Sequence, residues 1–459
     1  MHSRMLKRVV SDTDRGLLQK KDAVAQNFED ISNEGEQGIA QLRALRPTEA
    51  LKAFFERIPL HSIPGIDNSG VIEVQAGQTI EEAMRLLYKE DVLGAPVVDV
   101  PLGTVVAGPV TDHYVGLIDL GSMILWSLEE FEVKEPQAQV RGLQVAEDRE
   151  LSQETSDGRG VEGRAEEAEG VSKKENDDFW SLLSRLDDIG SSKVGALARS
   201  FRWGPFLPIY PEDSLLHILM LLSKHSLKAA PVVDPEDNKV TGFITQDAAM
   251  QLLLQCSGLP WFDSISQKQL SQFMFQADQP PGGLVYVYED KPLIDALHSL
   301  WKYRVSAVPV LERESDRLVG CVRTADARIL LEDYELFRAR REITVKKFMK
   351  ADPASKVNPA EQRHRTPVEE RIGAAVSAAV LSLGSFTLPP MQDPVTSVST
   401  DTLELTMKKL VAARSDRSFM LDDQRRLTGV ITIRDIIIQF SPPLGEQPDR
   451  WGDLFENAL

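Results

Sequence analysis

Cysteine is scarce in this chain. Its 459 residues include only two cysteines, Cys256 and Cys321, and both lie in apolar stretches. Two isolated cysteines in apolar surroundings favour buried, reduced thiols in a cytosolic protein over a disulfide or a metal site.

Long apolar runs and an excess of positive charge are also absent. No stretch approaches the roughly 20 apolar residues of a membrane-spanning helix, and residues 1–21 lack the apolar core of a signal peptide. The formal net charge of −18 disfavours binding to nucleic acid or to an anionic membrane. A hydrophobic content of 42% still allows sizeable cores. We therefore expect a cytoplasmic protein, with the nucleus as a further location, that binds neither nucleic acid nor membrane.

Catalytic signatures are missing as well. The sequence contains no Gly-rich phosphate loop, no paired catalytic acidic residues and no kinase catalytic-loop string. His225 has no second ligand at metal-binding spacing, and Asp295 one turn before His298 predicts a pair on the helix surface. We predict that the chain is not an enzyme and holds neither a metal nor a cofactor.

The sequence instead contains one pattern in four copies. Each copy has a helix with apolar residues at i, i+4 and i+7, then a short apolar strand, then a second strand that turns directly into another helix. The four helices begin their apolar stripes at Ile80, Leu215, Leu293 and Leu403. The first strands open sixteen residues later, at Pro96, Pro231, Pro309 and Phe419. One such unit cannot bury its own apolar face, so the copies must pack on each other.

The pattern predicts repeats over residues 50–131, 200–257, 284–333 and 390–441. We expect residues 1–48 to form a disordered arm and residues 442–459 an irregular tail. Residues 134–178 are predicted to form a disordered acidic loop, because twelve acidic residues stand against six basic ones between Arg141 and Trp180. This loop is interpreted as a solvated linker, with an interaction segment as the alternative.

The repeats resemble the cystathionine-beta-synthase (CBS) motif. That resemblance implies an α/β (α+β) fold in which four β-α-β-β-α units pair into two modules. Four such repeats without a catalytic domain resemble the gamma regulatory subunit of the AMP-activated and sucrose-non-fermenting-related protein kinases, and the flanking stretches Phe54 to Pro59 and Phe201 to Leu207 are similar to the plant form.

The resemblance implies a non-catalytic subunit of an energy-sensing, heterotrimeric Ser/Thr kinase. The implied partners are a catalytic alpha subunit and a beta subunit, and the implied ligand is an adenine nucleotide, AMP, ADP or ATP. A stand-alone nucleotide sensor and a ligand-free scaffold for another client stay open as alternatives.

The family also implies a site between paired repeats. There, the aspartate of a Ser/Thr-x-x-Asp turn after the second strand binds the ribose, and residues near the first strand hold the phosphates. Arg323 replaces the hydroxyl residue of this turn in repeat 3, and Ala248 replaces its aspartate in repeat 2. The candidate nucleotide-binding residues are Thr432, Asp435, Arg417, Asp326, Ser306, Ala307, Lys228 and Thr245.

Asp416 departs most from the family pattern, which has a histidine at this position. An ionised carboxylate about 4 Å from a phosphate charge costs roughly 4 kcal/mol at an effective dielectric constant of about 20. That cost lowers affinity on the order of a thousandfold, so we expect weak binding or none unless nearby basic residues compensate. Thr432 and Asp435 can equally be an ordinary helix cap, and Arg417 and Lys228 can be solvated charges.

Overall fold

The computed structural model describes residues 47–63, 71–99, 113–134, 178–199, 206–225, 227–275, 283–351 and 390–441. The tail predicted over 442–459 lies outside these ranges. The predicted arm over 1–48 and the acidic loop over 134–178 also lie outside them, apart from their terminal residues. No helix in the described ranges is long and apolar enough to cross a membrane.

Each repeat has the predicted order of helix, strand, strand and helix. Helix α1 (Pro47–Glu56) comes before the first repeat. Repeat 1 consists of β1 (Val74–Gln75), α2 (Ile80–Lys89), β2 (Gly94–Val98), β3 (Tyr114–Asp119) and α3 (120–134). It is followed by the short helices α4 (Phe179–Arg185), α5 (Asp187–Gly190) and α6 (Val194–Ala198). Repeat 2 consists of α7 (Leu215–Lys224), β4 (Ala229–Val233), β5 (Val240–Thr245) and α8 (Gln246–Gln255), followed by α9 (Pro260–Ser266).

The second half of the chain repeats this order. Repeat 3 consists of β6 (Val287–Tyr288), α10 (Leu293–Tyr303), β7 (Ala307–Leu311), β8 (Leu318–Arg323), a 3-10 turn (Thr324–Arg328) and α11 (Ile329–Glu332). Helices α12 (Tyr334–Arg338) and α13 (Val345–Ala351) follow it. Repeat 4 consists of β9 (Thr396–Val398), α14 (Leu403–Ala413), β10 (Arg417–Leu421), β11 (Leu427–Thr432) and α15 (Ile433–Gln439).

Local side-chain chemistry fixes where the first helix of each repeat begins. Thr79, Ser214 and Thr402 each accept a hydrogen bond from the backbone N–H three residues further on, which satisfies an otherwise unpaired donor. Glu82 completes the predicted capping box with Thr79. Pro292 is the N-cap of α10, where its missing N–H leaves no helix hydrogen bond unmade.

The four sheets share one topology. In each repeat the two longer strands form an antiparallel hairpin, and the register shifts by one residue at the same point near the end of the first strand. A short parallel strand joins the other edge of that first strand in repeats 1, 3 and 4. In repeat 2 a single bridge from Ile209 to Val232 takes its place.

The sheets pack in pairs, repeat 1 with repeat 2 and repeat 3 with repeat 4. Tyr114 of repeat 1 stacks on Phe206 with 4.5 Å between ring centroids, and its hydroxyl accepts a hydrogen bond of 3.2 Å from the N–H of Val240 in repeat 2. Between repeats 3 and 4, Arg317 and Arg426 form an antiparallel backbone bridge. These contacts confirm the predicted pairing into two modules.

The helices connect the two modules across a second set of faces. One core contains apolar residues of repeats 1 and 3, and another contains those of repeats 2 and 4. A methyl group added at Gly121 of α3 would lie 2.6 Å from the carbonyl oxygen of Thr324, which shows how closely repeats 1 and 3 approach. Arg434 of repeat 4 donates a 2.9 Å hydrogen bond to the carbonyl of Ser223 in repeat 2. The four repeats therefore close into a ring in the order 1, 2, 4, 3.

Segments between the repeats complete the two cores. Helix α1 precedes repeat 1 in the chain but contributes Leu51 and Phe55 to the core of repeats 2 and 4. Phe55 meets Trp261 of α9 edge to face, with 5.2 Å between centroids. Phe179 and Leu183 of α4 pack instead into the core of repeats 1 and 3.

Candidate functional site

The predicted site residues gather at the same place in three of the four repeats. We call this place the junction. It is the point where the residue before the first strand of the hairpin meets the residue that begins the last helical segment of the repeat. A backbone hydrogen bond closes each junction, from Ile433 to the carbonyl of Asp416, from Thr324 to Ser306 and from Gln246 to Lys228, at 2.9–3.0 Å. Strand register places Arg417 opposite Thr432, Ala307 opposite Arg323, and Ala229 opposite Thr245.

In the repeat 4 junction, Thr432 and Asp435 form a capping box at the start of α15. The Thr432 N–H and hydroxyl donate to Oδ2 of Asp435 at 2.9 and 2.7 Å, and the Asp435 N–H donates to Oγ1 of Thr432 at 3.2 Å. Asp435 is only 3% exposed. The helix-cap interpretation of this pair is therefore confirmed, and the predicted ribose contact of Asp435 stays a prediction.

In the repeat 3 junction, Arg323 takes over the role of the missing hydroxyl residue. Its backbone N–H and Nε donate to Oδ2 of Asp326 at 2.8 and 2.9 Å, and its Nη2 donates to Oδ1 at 2.9 Å. Both side chains are buried, with 10% of Arg323 and 3% of Asp326 exposed. Both oxygens of the predicted ribose-binding carboxylate thus already hold an arginine.

In the repeat 2 junction, Thr245 caps α8 by accepting a 3.1 Å hydrogen bond from the N–H of Ala248. Because Ala248 holds the helix position equivalent to Asp435, no carboxylate stands there. The neighbouring Asp247 accepts a 2.7 Å hydrogen bond from Gln251. Burial raises the pKa of Asp247 and the charge of Asp416 adds to that rise, while Gln251 and Arg414 oppose it. Lys228 is exposed at the surface of this junction.

The repeat 1 junction has a carboxylate at a different position. Asp119 ends β3, and its Oδ1 accepts a 2.7 Å hydrogen bond from the N–H of Ser122 in the first turn of α3. Leu93 faces this point and accepts the closing backbone hydrogen bond from Leu120 at 2.8 Å. Leu93 thus stands at the position that Lys228 holds in repeat 2 and Asp416 in repeat 4, and its side chain is apolar.

The junctions of repeats 3 and 4 touch through their polar side chains. Nη2 of Arg417 donates a hydrogen bond to the hydroxyl of Ser306, and that hydroxyl lies 3.4 Å from Oδ2 of Asp416. Arg417 also holds Asp416 in a two-pronged pair, from Nε to Oδ1 at 3.0 Å and from Nη2 to Oδ2 at 2.8 Å. We call this group, Ser306, Asp416 and Arg417, the central cluster.

Charge in the central cluster is balanced within the protein. Partial loss of solvent around Asp416 opposes its ionisation, but Arg417, Lys228 and Arg323 together hold the pKa of its carboxyl well below the usual range. Asp416 is thus ionised at neutral pH and paired with Arg417, one of the nearby basic residues expected to be able to compensate its charge. Its effect on a phosphate would come from occupying Arg417 as much as from repulsion.

Some contacts within and between the repeats have only a weak sequence signal. The Arg323–Asp326 pair lies at i, i+3 spacing, so an ion pair could have been predicted there, although its burial could not. The predicted pair of His298 with Asp295 was wrong, because Nδ1 of His298 lies 2.8 Å from Oε1 of Glu129 in repeat 1. Only the packing of repeat 1 against repeat 3 brings those two side chains together.

Metal-binding chemistry has no candidate in the described parts of the chain, since no group of three or more His, Cys, Asp or Glu side chains there could hold an ion. Both cysteines are buried and free. Burial raises the pKa of the Cys321 thiol to about 12.

Comparison with known proteins gives matches over two of the repeats and over nearly the full length of the chain. The CBS domain profile matches residues 198–255 and 282–333, which are repeats 2 and 3. The SNF1-related protein kinase regulatory subunit gamma-1 of Arabidopsis thaliana is 28% identical over 415 residues, covering 90% of this chain and 88% of that protein. A gamma-1-like subunit of the same plant is 27% identical over 448 residues, covering 90% of each.

A mammalian relative matches a shorter part. The 5'-AMP-activated protein kinase subunit gamma-3 of Sus scrofa is 22% identical over 268 residues, covering 56% of this chain and 43% of that protein. The four repeats, their pairing and the match along nearly the full length agree with one another. The chain contains CBS domains and, over nearly its full length, is similar to the plant SNF1-related protein kinase gamma regulatory subunits.

Proposed function

We propose that this chain acts as the non-catalytic gamma subunit of a heterotrimeric Ser/Thr protein kinase, together with a catalytic alpha subunit and a beta subunit. The observation that carries this proposal is the match to plant kinase gamma subunits over 90% of the chain. A match confined to the CBS repeats would fit any CBS protein, whereas this one extends through the segments that join the repeats.

The fold suits a regulatory subunit. Closure of four repeats into a ring buries their apolar faces and brings the junctions of different repeats into contact. Residues from separate repeats can then respond together to one small ligand, because their side chains meet in one place. Such coupling is what a regulatory subunit needs in order to convert ligand occupancy into altered contacts with its partners.

The ligand we propose is an adenine nucleotide at the repeat 4 junction. Thr432 and Asp435 would receive the ribose, and Arg417 and Ser306 would receive the phosphates, with Lys228 at the rim. This assignment is supported by the register that places Arg417 opposite Thr432. Asp326, Ala307 and Thr245 would form the corresponding positions in repeats 3 and 2.

A ligand-free scaffold is the second candidate, and one observation favours it. Asp326 and Arg323 satisfy each other, and Arg417 holds Asp416, so two of the arginines at these junctions already have carboxylate partners within the chain. A scaffold of this kind would support the kinase without sensing nucleotides.

Affinity purification of the full, tagged chain from its source cells tests the kinase assignment. We expect mass spectrometry to identify a kinase catalytic subunit and a beta subunit at comparable abundance. Recovery of neither subunit would contradict the assignment.

Calorimetry with AMP, ADP and ATP then separates a sensor from a scaffold. Asp435→Ala should weaken any nucleotide binding by at least tenfold, whereas Asp423→Asn, an exposed hairpin change, should leave it unaltered. Equal affinity of Asp435→Ala and wild type would remove Asp435 from the site. No heat with any nucleotide would favour the scaffold.

A further inference from the structure

The central cluster holds an arginine that is buried and a carboxylate that is not. Arg417 is 7% exposed, and a guanidinium at that depth needs charged or hydrogen-bonding partners. The side chain of Asp416 is 51% exposed, so it approaches Arg417 from the solvent side. The position of the carboxylate is therefore one that a solute could also reach.

The surrounding charges favour an anion at this position. Lys228 of repeat 2 and Arg323 of repeat 3 both act on Asp416 in addition to Arg417. Arg323 has its own carboxylate, Asp326, with two side-chain hydrogen bonds of 2.9 Å. Lys228 and Arg417 therefore both stabilise the negative charge of Asp416.

Two further charged residues lie nearby: an acidic residue of repeat 2 and a basic residue of repeat 4. Asp247 is acted on by both Asp416 and Arg414. Asp435, in the first turn of α15 at the same junction, is a fourth acidic group beside Asp247, Asp326 and Asp416, against the four basic groups Lys228, Arg323, Arg414 and Arg417. The charges around the central cluster are therefore balanced, although the whole chain carries a net charge of −18.

We propose that the Asp416 carboxylate is a built-in anion that occupies the phosphate position of the repeat 4 junction, so that a phosphate-bearing ligand binds there only by displacing Asp416 from Arg417 and Ser306. The exchange breaks the two hydrogen bonds of the Arg417–Asp416 pair and replaces them with bonds from Arg417 to phosphate oxygens. Asp416 is then released toward solvent, which its exposed side allows. The identity of the ligand as a nucleotide rests on the function proposed above, whereas the displacement of Asp416 by a phosphate group does not.

A tethered competitor of this kind sets a concentration threshold. Because Asp416 is the residue next to Arg417 in the chain, its local concentration at the guanidinium is fixed and high, in the millimolar range or above for a short tether. A free phosphate ligand must outcompete it and must also tolerate the displaced carboxylate nearby. The wild-type junction should therefore respond only to ligand concentrations well above those that an unoccupied arginine site would need.

Replacing Asp416 with asparagine removes the competing charge and keeps the side-chain shape. We expect isothermal titration calorimetry at low salt to show AMP binding to Asp416→Asn at least tenfold tighter than to wild type. Asp423→Asn changes the net charge equally at an exposed hairpin position and should alter the affinity by less than twofold. The double variant Asp416→Asn/Arg417→Gln should lose the gain.

A second variant and a second probe keep the outcome decisive. Asp416→Ser also removes the carboxylate, and it replaces Asp416→Asn if thermal unfolding shows that the asparagine variant is not folded. Equal AMP and phosphate affinities for wild type and a folded Asp416 variant would overturn the proposal. Tighter binding of inorganic phosphate without tighter binding of AMP would support the built-in anion and would count against the nucleotide role. Recovery of kinase subunits with the wild-type chain is unaffected by either result, so the two proposals fail separately.

Discussion

Removal of the Arg323 guanidinium probes how strongly the repeat 3 junction depends on its internal ion pair. Arg323 and Asp326 are 10% and 3% exposed and are joined by two side-chain hydrogen bonds of 2.9 Å. Deleting one partner of a buried pair leaves an uncompensated charge, which costs about 3–5 kcal/mol. We expect Arg323→Ala to lower the free energy of unfolding by an amount in that range.

The chain itself supplies the matched rescue variant. In the repeat 4 junction the hydroxyl of Thr432 donates to Asp435 at 2.7 Å, at the position that Arg323 holds in repeat 3. Arg323→Thr should recreate that hydrogen bond to Asp326. A hydrogen bond to a charged group contributes about 1.5–3 kcal/mol, so Arg323→Thr should recover roughly half of the loss caused by alanine.

Urea unfolding followed by far-UV circular dichroism measures both variants, with the midpoint and slope giving the change in stability. The expected order of stability is wild type, then Arg323→Thr, then Arg323→Ala. A loss below about 0.5 kcal/mol for Arg323→Ala would refute the reasoning, because a change of that size is typical of a surface position. Equal losses for the two variants would mean that threonine does not reach Asp326.

Three further predictions concern other parts of the ring. Burial favours the protonated form of Glu404, but Lys408 and hydrogen bonds outweigh it and hold the pKa of Glu404 below the usual range. Glu404→Gln should therefore lower the free energy of unfolding by about 1–2 kcal/mol, measured in urea at pH 7. This difference between wild type and variant should shrink as the pH falls below about 4.3, the pKa in the unfolded chain, toward the lower pKa of the folded protein. The Cys321 thiol, with its pKa raised to about 12, should resist a thiol-reactive dye at pH 8 until the protein is unfolded with guanidinium. Gly121→Ala should lower the melting temperature, since its methyl group would meet a backbone oxygen of repeat 3 at 2.6 Å, whereas Gly77→Ala, with no atom within 4 Å, should not.

The repeats could be predicted from the sequence because their apolar periodicity is local. Ile80, Met84 and Leu87 follow helical spacing, and all three are buried on one face of α2. The capping box of Thr79 and Glu82 is equally local, since both residues lie within one helical turn. The pairing into two modules followed from the CBS resemblance rather than from the residues.

The closure of the ring could not be predicted from the sequence. Helix α1 precedes repeat 1, yet its Phe55 packs against Trp261 in the core of repeats 2 and 4. The spacing of 206 residues between these rings carries no local signal, and burial of apolar surface in the shared core brings them together. The contact of His298 with Glu129, 169 residues apart in the chain, was missed for the same reason.

Motif spacing predicted where the candidate residues lie along the strands of each repeat, but not which side chains they contact. Register alone sets Arg417 opposite Thr432, so motif spacing was sufficient for that neighbourhood. The contact of Arg417 with Ser306 joins two repeats and depends on how the sheets pack. The sequence therefore predicted repulsion by Asp416 unless a nearby basic residue compensated, and the fold identifies Arg417 as that residue.

Reconstitution with purified partners tests the kinase-subunit assignment most directly. The full chain is mixed with a catalytic alpha subunit and a beta subunit of the kinase, and the mixture is separated by size-exclusion chromatography with light scattering. The assignment predicts a single complex whose mass equals one copy of each subunit. Elution of this chain on its own, under conditions in which the alpha and beta subunits bind an established gamma subunit, would contradict it.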